Sequence, residues 1–129
     1  MVSLLIVSHS AQLAAGVKEF AEQVAGGKVQ IADAGGAADG SLGTSVDRIQ
    51  ERLQQVASPD GTLVLVDLGS AVLSVEMAIE ALGADRVQIS DAPLVEGAYL
   101  AAIEASDEGA GLEQVAEAAL QARELIKVH

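Results

Sequence analysis

Two histidines occur in the 129 residues, and one of them, His129, is the last residue, where order is least expected. The other, His9, stands in Ser8-His9-Ser10, directly after the apolar run Leu4-Leu5-Ile6-Val7. Asp67 occupies a matching place after Leu63-Val64-Leu65-Val66. A carboxylate beside an imidazole accepts a hydrogen bond from one ring nitrogen. That fixes the tautomer and leaves the other nitrogen free to act as a nucleophile. Residue type alone leaves plainer roles open. His9 can be a loop histidine near a helix start, Asp67 the N-cap of the following helix, and Ser70 either a cap or a hydroxyl donor to phosphate.

A third stretch, Asp33 to Ser45, holds four glycines (Gly35, Gly36, Gly40 and Gly43) and ends in Thr44-Ser45 before a helix start. Backbone N–H groups and hydroxyls in such a place can cradle an anion, although a glycine-rich connector would read the same way. The expected phosphate-binding set is Gly36, Thr44, Ser45 and Ser70. The stretch lacks the Gly-Lys-Ser/Thr of a P-loop, so autonomous nucleotide hydrolysis is not expected. None of the segments 8–10, 33–45, 67–70 and 90–93 contains Lys or Arg. A phosphoryl group held there only by N–H and hydroxyl donors would be accepted and passed on, as in a relay. No metal is expected: one histidine among scattered carboxylates is not a zinc set, and Ser8-His9-Ser10 is not the acidic cluster of a Mg²⁺-dependent receiver. No Gly-x-Ser-x-Gly signature is present, and the absence of cysteine removes thiolate chemistry and disulfides.

The elements that must position these residues follow from periodicity. Four short apolar runs read as strands: Val2 to Val7, Val29 to Ala32, Leu63 to Val66 and Val87 to Ile89. Between them lie helical stripes at Leu13, Val17, Phe20 and Val24, at Val46, Ile49, Leu53 and Val56, and at Val72, Val75, Ile79 and Leu82. Pro93 to Ala105 reads as an apolar helix, and Leu112, Val115, Ala119, Ala122 and Ile126 form a last stripe. Gly26-Gly27 and Gly83 are helix stops, Thr44-Ser45-Val46-Asp47 is a capped start, and Ser58-Pro59-Asp60-Gly61 is a turn. Strand alternating with helix predicts an α/β fold with a doubly wound parallel four-stranded sheet flanked by helices, in the order 2-1-3-4. Its switch point lies between the first and third strands, where ligands bind outside the strands' carboxyl ends. His9 and Asp67 are thereby expected to meet.

Length and composition bound the rest. Residues 1–129 read as a single domain, with a core of Ala, Val, Leu and Ile because aromatics make up only 2%. No apolar stretch is long enough for a membrane span, and the Met-Val-Ser start has no basic region preceding an apolar one, so the cytoplasm is the expected compartment. The net charge of −12, with only seven Lys and Arg, argues against nucleic acid and anionic membranes. It suits a basic protein partner, or simply solubility.

Four segments together carry a resemblance. Val7-Ser8-His9-Ser10, Gly35-Gly36 with Asp39-Gly40-Ser41-Leu42-Gly43-Thr44-Ser45, Leu65-Val66-Asp67-Leu68-Gly69-Ser70-Ala71, and Pro93-Leu94-Val95-Glu96-Gly97-Ala98 are similar to the IIA-type domain of the DhaM family. DhaM proteins are phosphotransfer subunits of bacterial dihydroxyacetone kinase and relatives of the mannose-family (type-4) IIA domains of the sugar phosphotransferase system. The resemblance spans nearly the whole chain. It implies a phosphohistidine relay in which HPr donates phosphate to His9 and His9 passes it to ADP held on the DhaL subunit, with dihydroxyacetone on DhaK. It implies no cofactor beyond the covalent phosphohistidine, since ADP belongs to the partner, and a homodimer. The HPr-like and enzyme I-like domains that follow in some relatives would lie on separate proteins or on a longer chain. The competing readings are a sugar-uptake IIA domain donating to a IIB domain, disfavoured by a helical rather than strand-like C-terminal region, and a non-catalytic partner-binding module.

Overall fold

A computed structural model describes residues 1–128, so the expectation for His129 lies outside the described residues. Four strands, β1 (Ser3–Ser8), β2 (Ile31–Gly35), β3 (Thr62–Val66) and β4 (Val87–Ile89), form one parallel sheet in the order β2-β1-β3-β4. The helices are α1 (Ala11–Ala25), α2 (Val46–Gln55), α3 (Ser70–Leu82), α4 (Leu94–Ala105) and α5 (Leu112–Leu120), and a 3₁₀ turn spans Gln121–Glu124. The predicted class and strand order are those observed.

Alternation along β1 and β3 divides the core into two layers. Leu4, Ile6, Leu63 and Leu65 face α1, α4 and α5, whereas Leu5, Val7, Val64 and Val66 face α2 and α3. Both faces of the central strands are buried, which is why they read as continuous apolar runs.

Two helices depart from the predicted stripes. In α1 the buried face is Ala14, Val17, Ala21 and Ala25, while Leu13 and Phe20 are 42% and 46% exposed. Small side chains bring α1 close to the sheet: a Cβ on Gly35 would lie 2.5 Å from the Ser10 carbonyl oxygen and 2.8 Å from the Ala14 Cβ. The larger side chains turn away from the sheet, and Phe20 stacks on Tyr99 of α4 with ring centroids 5.4 Å apart. The last predicted stripe is also too long. Helix α5 stops at Leu120, and the chain tightens into the 3₁₀ turn with Ala122 buried and Ile126 70% exposed. No helix among the described residues is long and apolar enough to cross a membrane.

Candidate functional site

Strand register alone brings His9 and Asp67 together. Val7 pairs with Val66 in the parallel β1–β3 ladder, and the Asp67 N–H donates to the Val7 carbonyl at 3.2 Å. The residues that follow these strands therefore leave the sheet side by side. Ser10 then ends β1 abruptly by capping α1, its hydroxyl accepting from the Leu13 N–H at 3.2 Å.

The Asp67 carboxylate ties these segments into one knot. Its Oδ2 accepts from the Ser8 hydroxyl and from the His9 backbone N–H, both at 2.9 Å. Its Oδ1 accepts from the Leu68 N–H at 2.8 Å and lies 3.0 Å from His9 Nδ1. Burial pushes the Asp67 carboxyl up, but the hydrogen bonds from the His9 N–H, the His9 ring, Ser8 and Leu68 outweigh it and hold the group below its ordinary value. The carboxylate accordingly stays ionised and favours the tautomer with the proton on Nδ1, leaving Nε2 with a lone pair. The Ser70 hydroxyl lies 3.0 Å from that Nε2.

Geometry removes the capping role that residue type left open for Asp67 and Ser70. Helix α3 has Gly69 at its N-cap with no side-chain cap, so neither Asp67 nor Ser70 caps it; both side chains turn to His9. Ser8, which residue type did not single out, is fully buried, and its hydroxyl both donates to Asp67 and accepts from the Ser10 N–H at 3.0 Å. Its only signal was its place between a buried strand and His9.

The glycine-rich segment folds back over β1 as the strand order required. Gly36 N–H donates to the Ser8 carbonyl at 3.2 Å and Gly43 N–H to the His9 carbonyl at 2.8 Å. Its hydroxyls face other partners: Thr44 pairs with Ser74 at 2.7 Å, and the Ser45 hydroxyl accepts from the Arg48 N–H at 3.2 Å, capping α2. Of the four residues expected to bind phosphate, Ser70 alone directs its side chain to His9.

The strand-end loops contain no cation, yet folding brings two arginines from elsewhere to this edge of the sheet. Arg48 of α2 donates to the Gly35 carbonyl at 2.6 Å, closing the end of β2. Arg123 of the 3₁₀ turn pairs with the Asp91 carboxylate and donates to its carbonyl oxygen at 3.2 Å, beyond the end of β4. Arg48 stands just inside the helix after the 33–45 loop, one turn beyond the segment read for cations, and Arg123 comes from a segment distant in sequence. Among the described residues, no three His, Asp or Glu side chains cluster closely enough to hold a metal ion together.

Similarity to known proteins agrees with this geometry. Residues 3–116 match the family described as PTS system fructose IIA component. A DhaM phosphoryl donor subunit of PEP-dependent dihydroxyacetone kinase 2 from Listeria innocua is 37% identical over 81% of this chain and 86% of its own length. The DhaM subunit of Klebsiella michiganensis is 41% identical over 99% of this chain, which spans only 28% of that longer protein. Among solved structures, EF1359, a protein of unknown function, superposes with a TM-score of 0.80 at 38% identity, covering 92% of each chain. A phosphotransferase system component EIIA from Streptococcus agalactiae shares the fold, with a TM-score of 0.69 at 16% identity over 98% of this chain and 96% of its own. On the match over residues 3–116 and on these relatives, the chain belongs to the PTS system fructose IIA component family, alongside the DhaM phosphoryl donor subunits.

Proposed function

We propose that this chain is a phosphohistidine relay that takes phosphate from HPr and passes it to ADP on a DhaL-type subunit, for phosphorylation of dihydroxyacetone bound to DhaK. The observation that carries the reading is the two-sided hold on one imidazole, with Nδ1 on the Asp67 carboxylate and Nε2 beside the Ser70 hydroxyl. In the first step the Nε2 lone pair attacks the phosphorus carried by HPr, and the carrier's N–P bond breaks with its electron pair returning to the carrier's imidazole. Asp67 stabilises the positive charge that develops on the His9 ring, and the Ser70 hydroxyl turns from Nε2 to a phosphoryl oxygen. In the second step a terminal oxygen of ADP attacks the same phosphorus, and the Nε2–P pair returns to His9. The domain needs no cofactor of its own, because the intermediate is covalent and ADP belongs to the partner.

Ser70 is the direct phosphoryl contact in this scheme. Gly36 would join it only by giving up the Ser8 carbonyl and Thr44 by turning from Ser74, whereas the Ser45 hydroxyl, an acceptor in its cap, keeps its O–H to donate. The protein works in the cytoplasm, as a homodimer, and binds neither nucleic acid nor membrane.

The test is incubation with phosphoenolpyruvate, enzyme I and HPr, followed by addition of either the DhaL–ADP complex or a IIB domain. Acid-labile label should appear on wild type, be absent from His9→Ala of unchanged fold, and be discharged by DhaL–ADP. Label persisting in His9→Ala would overturn the assignment of His9. No label on wild type would point to a partner-binding module, and discharge by IIB alone to sugar uptake.

A further inference from the structure

A groove of about 560 Å³ runs along the carboxyl edge of the sheet from the end of β3 to the end of β4. One wall is 67–69, directly before the Ser70 that faces His9 Nε2, and the other is 90–93. Val66, Val72 and Ile89 make its lining partly apolar, and Arg123 is its one cationic lining residue. The 3₁₀ turn that carries Arg123 is held against the core by the buried Ala122 beside it.

We propose that Arg123 binds the diphosphate of the phosphoryl acceptor in this groove, exchanging the Asp91 carboxylate for phosphate oxygens. The inference rests on the relay reading and adds to it where the acceptor sits and which residue holds it. Transfer from a phosphohistidine to a nucleoside diphosphate brings two polyanions together on a protein of net charge −12. A cation of this chain lining the groove beside His9 would offset that repulsion. Arg48 is on the wrong flank, beside β2, with its guanidinium on the Gly35 carbonyl. Arg123 is on the open flank. An acceptor oxygen reaching Nε2 past Gly69 leaves the rest of its diphosphate extending along the groove toward the guanidinium.

The present partner of Arg123 is one it can give up. The side chains of Arg123 and Asp91 are 47% and 91% exposed, and exposed ion pairs contribute little because water competes for both partners. A guanidinium offers phosphate a planar fork of donors, so exchange gains a stronger partner without moving the backbone. The two carboxylates lining the groove oppose anion entry unequally. Asp67 is committed to four donors, whereas Asp91 is released with Arg123 and faces solvent. No bond to phosphorus involves Arg123: it neutralises charge while the acceptor oxygen forms its bond and the Nε2–P pair returns to the ring.

The loading step brings a single phosphoryl group, and the discharge step brings a diphosphate as well. Arg123 therefore matters more to discharge than to loading. In Arg123→Gln the ratio of discharge rate, measured with the ADP-loaded acceptor, to loading rate from HPr should fall about tenfold, as expected for a lost charge-assisted hydrogen bond. The fall should appear in the KM for the acceptor, with partial rescue in Arg123→Lys. Asp91→Asn, which removes the competing negative charge, should lower that KM. A second readout is independent of phosphotransfer. Titration of ¹⁵N-labelled protein with free ADP should shift the Gly69, Ser70 and Arg123 signals in wild type but not in Arg123→Gln. An unchanged discharge-to-loading ratio in Arg123→Gln, a raised KM in Asp91→Asn, or ADP shifts that survive Arg123→Gln would each overturn the proposal. Failure of wild type to take label on His9 would overturn the relay reading instead, and the ADP titration would still decide whether Arg123 holds a diphosphate.

Discussion

Asp67 and the Gly36-to-Ser45 loop both flank His9, and they spend their hydrogen bonds in opposite ways. Asp67 reaches across strands, binding Ser8 and both the backbone and the ring of His9. The loop reaches the end of β1 only through backbone, with Gly36 N–H on the Ser8 carbonyl and Gly43 N–H on the His9 carbonyl, while its side chains bond elsewhere: Ser41 to Asp39, Thr44 to Ser74 of α3, and the Ser45 hydroxyl accepting from the Arg48 N–H of α2. Both regions offer the same small polar residues at strand ends. The difference teaches that such residues orient chemistry when their side chains meet the reacting ring, and serve as scaffold when their side chains meet other elements. Substitutions on the two sides should accordingly separate rate from stability.

The largest effect is expected at the carboxylate. Asp67→Ala should slow loading of His9 by roughly 10²-fold or more, as removal of a general-base orienter does. A wild-type labelling rate in that variant would reduce Asp67 to a structural tie. A pH series sharpens the point. The Asp67 carboxyl is held below its ordinary value in the folded protein, so its contribution to stability is complete above the unfolded value of about 3.9 and disappears as pH falls through the lowered folded value. The stability gap between wild type and Asp67→Asn, from thermal melts, should therefore be full near neutrality and close in acid below about pH 4. A gap that widened in acid would contradict the depressed value.

The same contrast explains what was legible in the sequence. His9 and Asp67 were legible because parallel register carries the ends of β1 and β3 to one place, and register is written in the two apolar runs. The loop was legible as a position, since β2 must flank β1, but not as a set of contacts, because nothing in Thr44 announces Ser74. The α1 stripe misled for a packing reason. Leu13 and Phe20 look like core, yet close approach to β2 over Gly35 needs alanine-sized side chains, and the larger residues face outward. Arg123 was illegible because its place depends on where α5 stops and how the following turn folds back.

A smaller effect tests that close approach. Gly35 ends β2 under the first turn of α1, and a Cβ there would lie 2.5 Å from the Ser10 carbonyl oxygen and 2.7 Å from the Ala11 Cα, both backbone atoms that cannot rotate away. Gly35→Ala should destabilise the fold by about 1–3 kcal/mol, the usual consequence of overpacking, read in denaturant melts. Because Ser10 caps the helix that follows His9, the same shift should also disturb the ring's position and slow loading. Unchanged stability would mean that α1 is held less tightly to β2 than the geometry implies.

The smallest effect separates hydroxyl that faces the ring from hydroxyl that holds the scaffold. Ser70 is 3.0 Å from His9 Nε2, whereas the Ser45 hydroxyl accepts from the Arg48 N–H and gives α2 its N-cap. Ser45→Ala should cost about 1 kcal/mol of stability, as loss of a cap does. Its effect on loading should be smaller than that of Ser70→Ala, which removes the hydroxyl beside Nε2 and leaves the helix start intact because Ser70 caps nothing. Parallel melts and labelling rates for the two alanine variants decide between the regions. If Ser45→Ala slows loading as much as Ser70→Ala does, the Ser45 O–H must reach the phosphoryl group while its oxygen still caps α2, and the division between ring-facing and scaffold hydroxyls fails once the group is on His9.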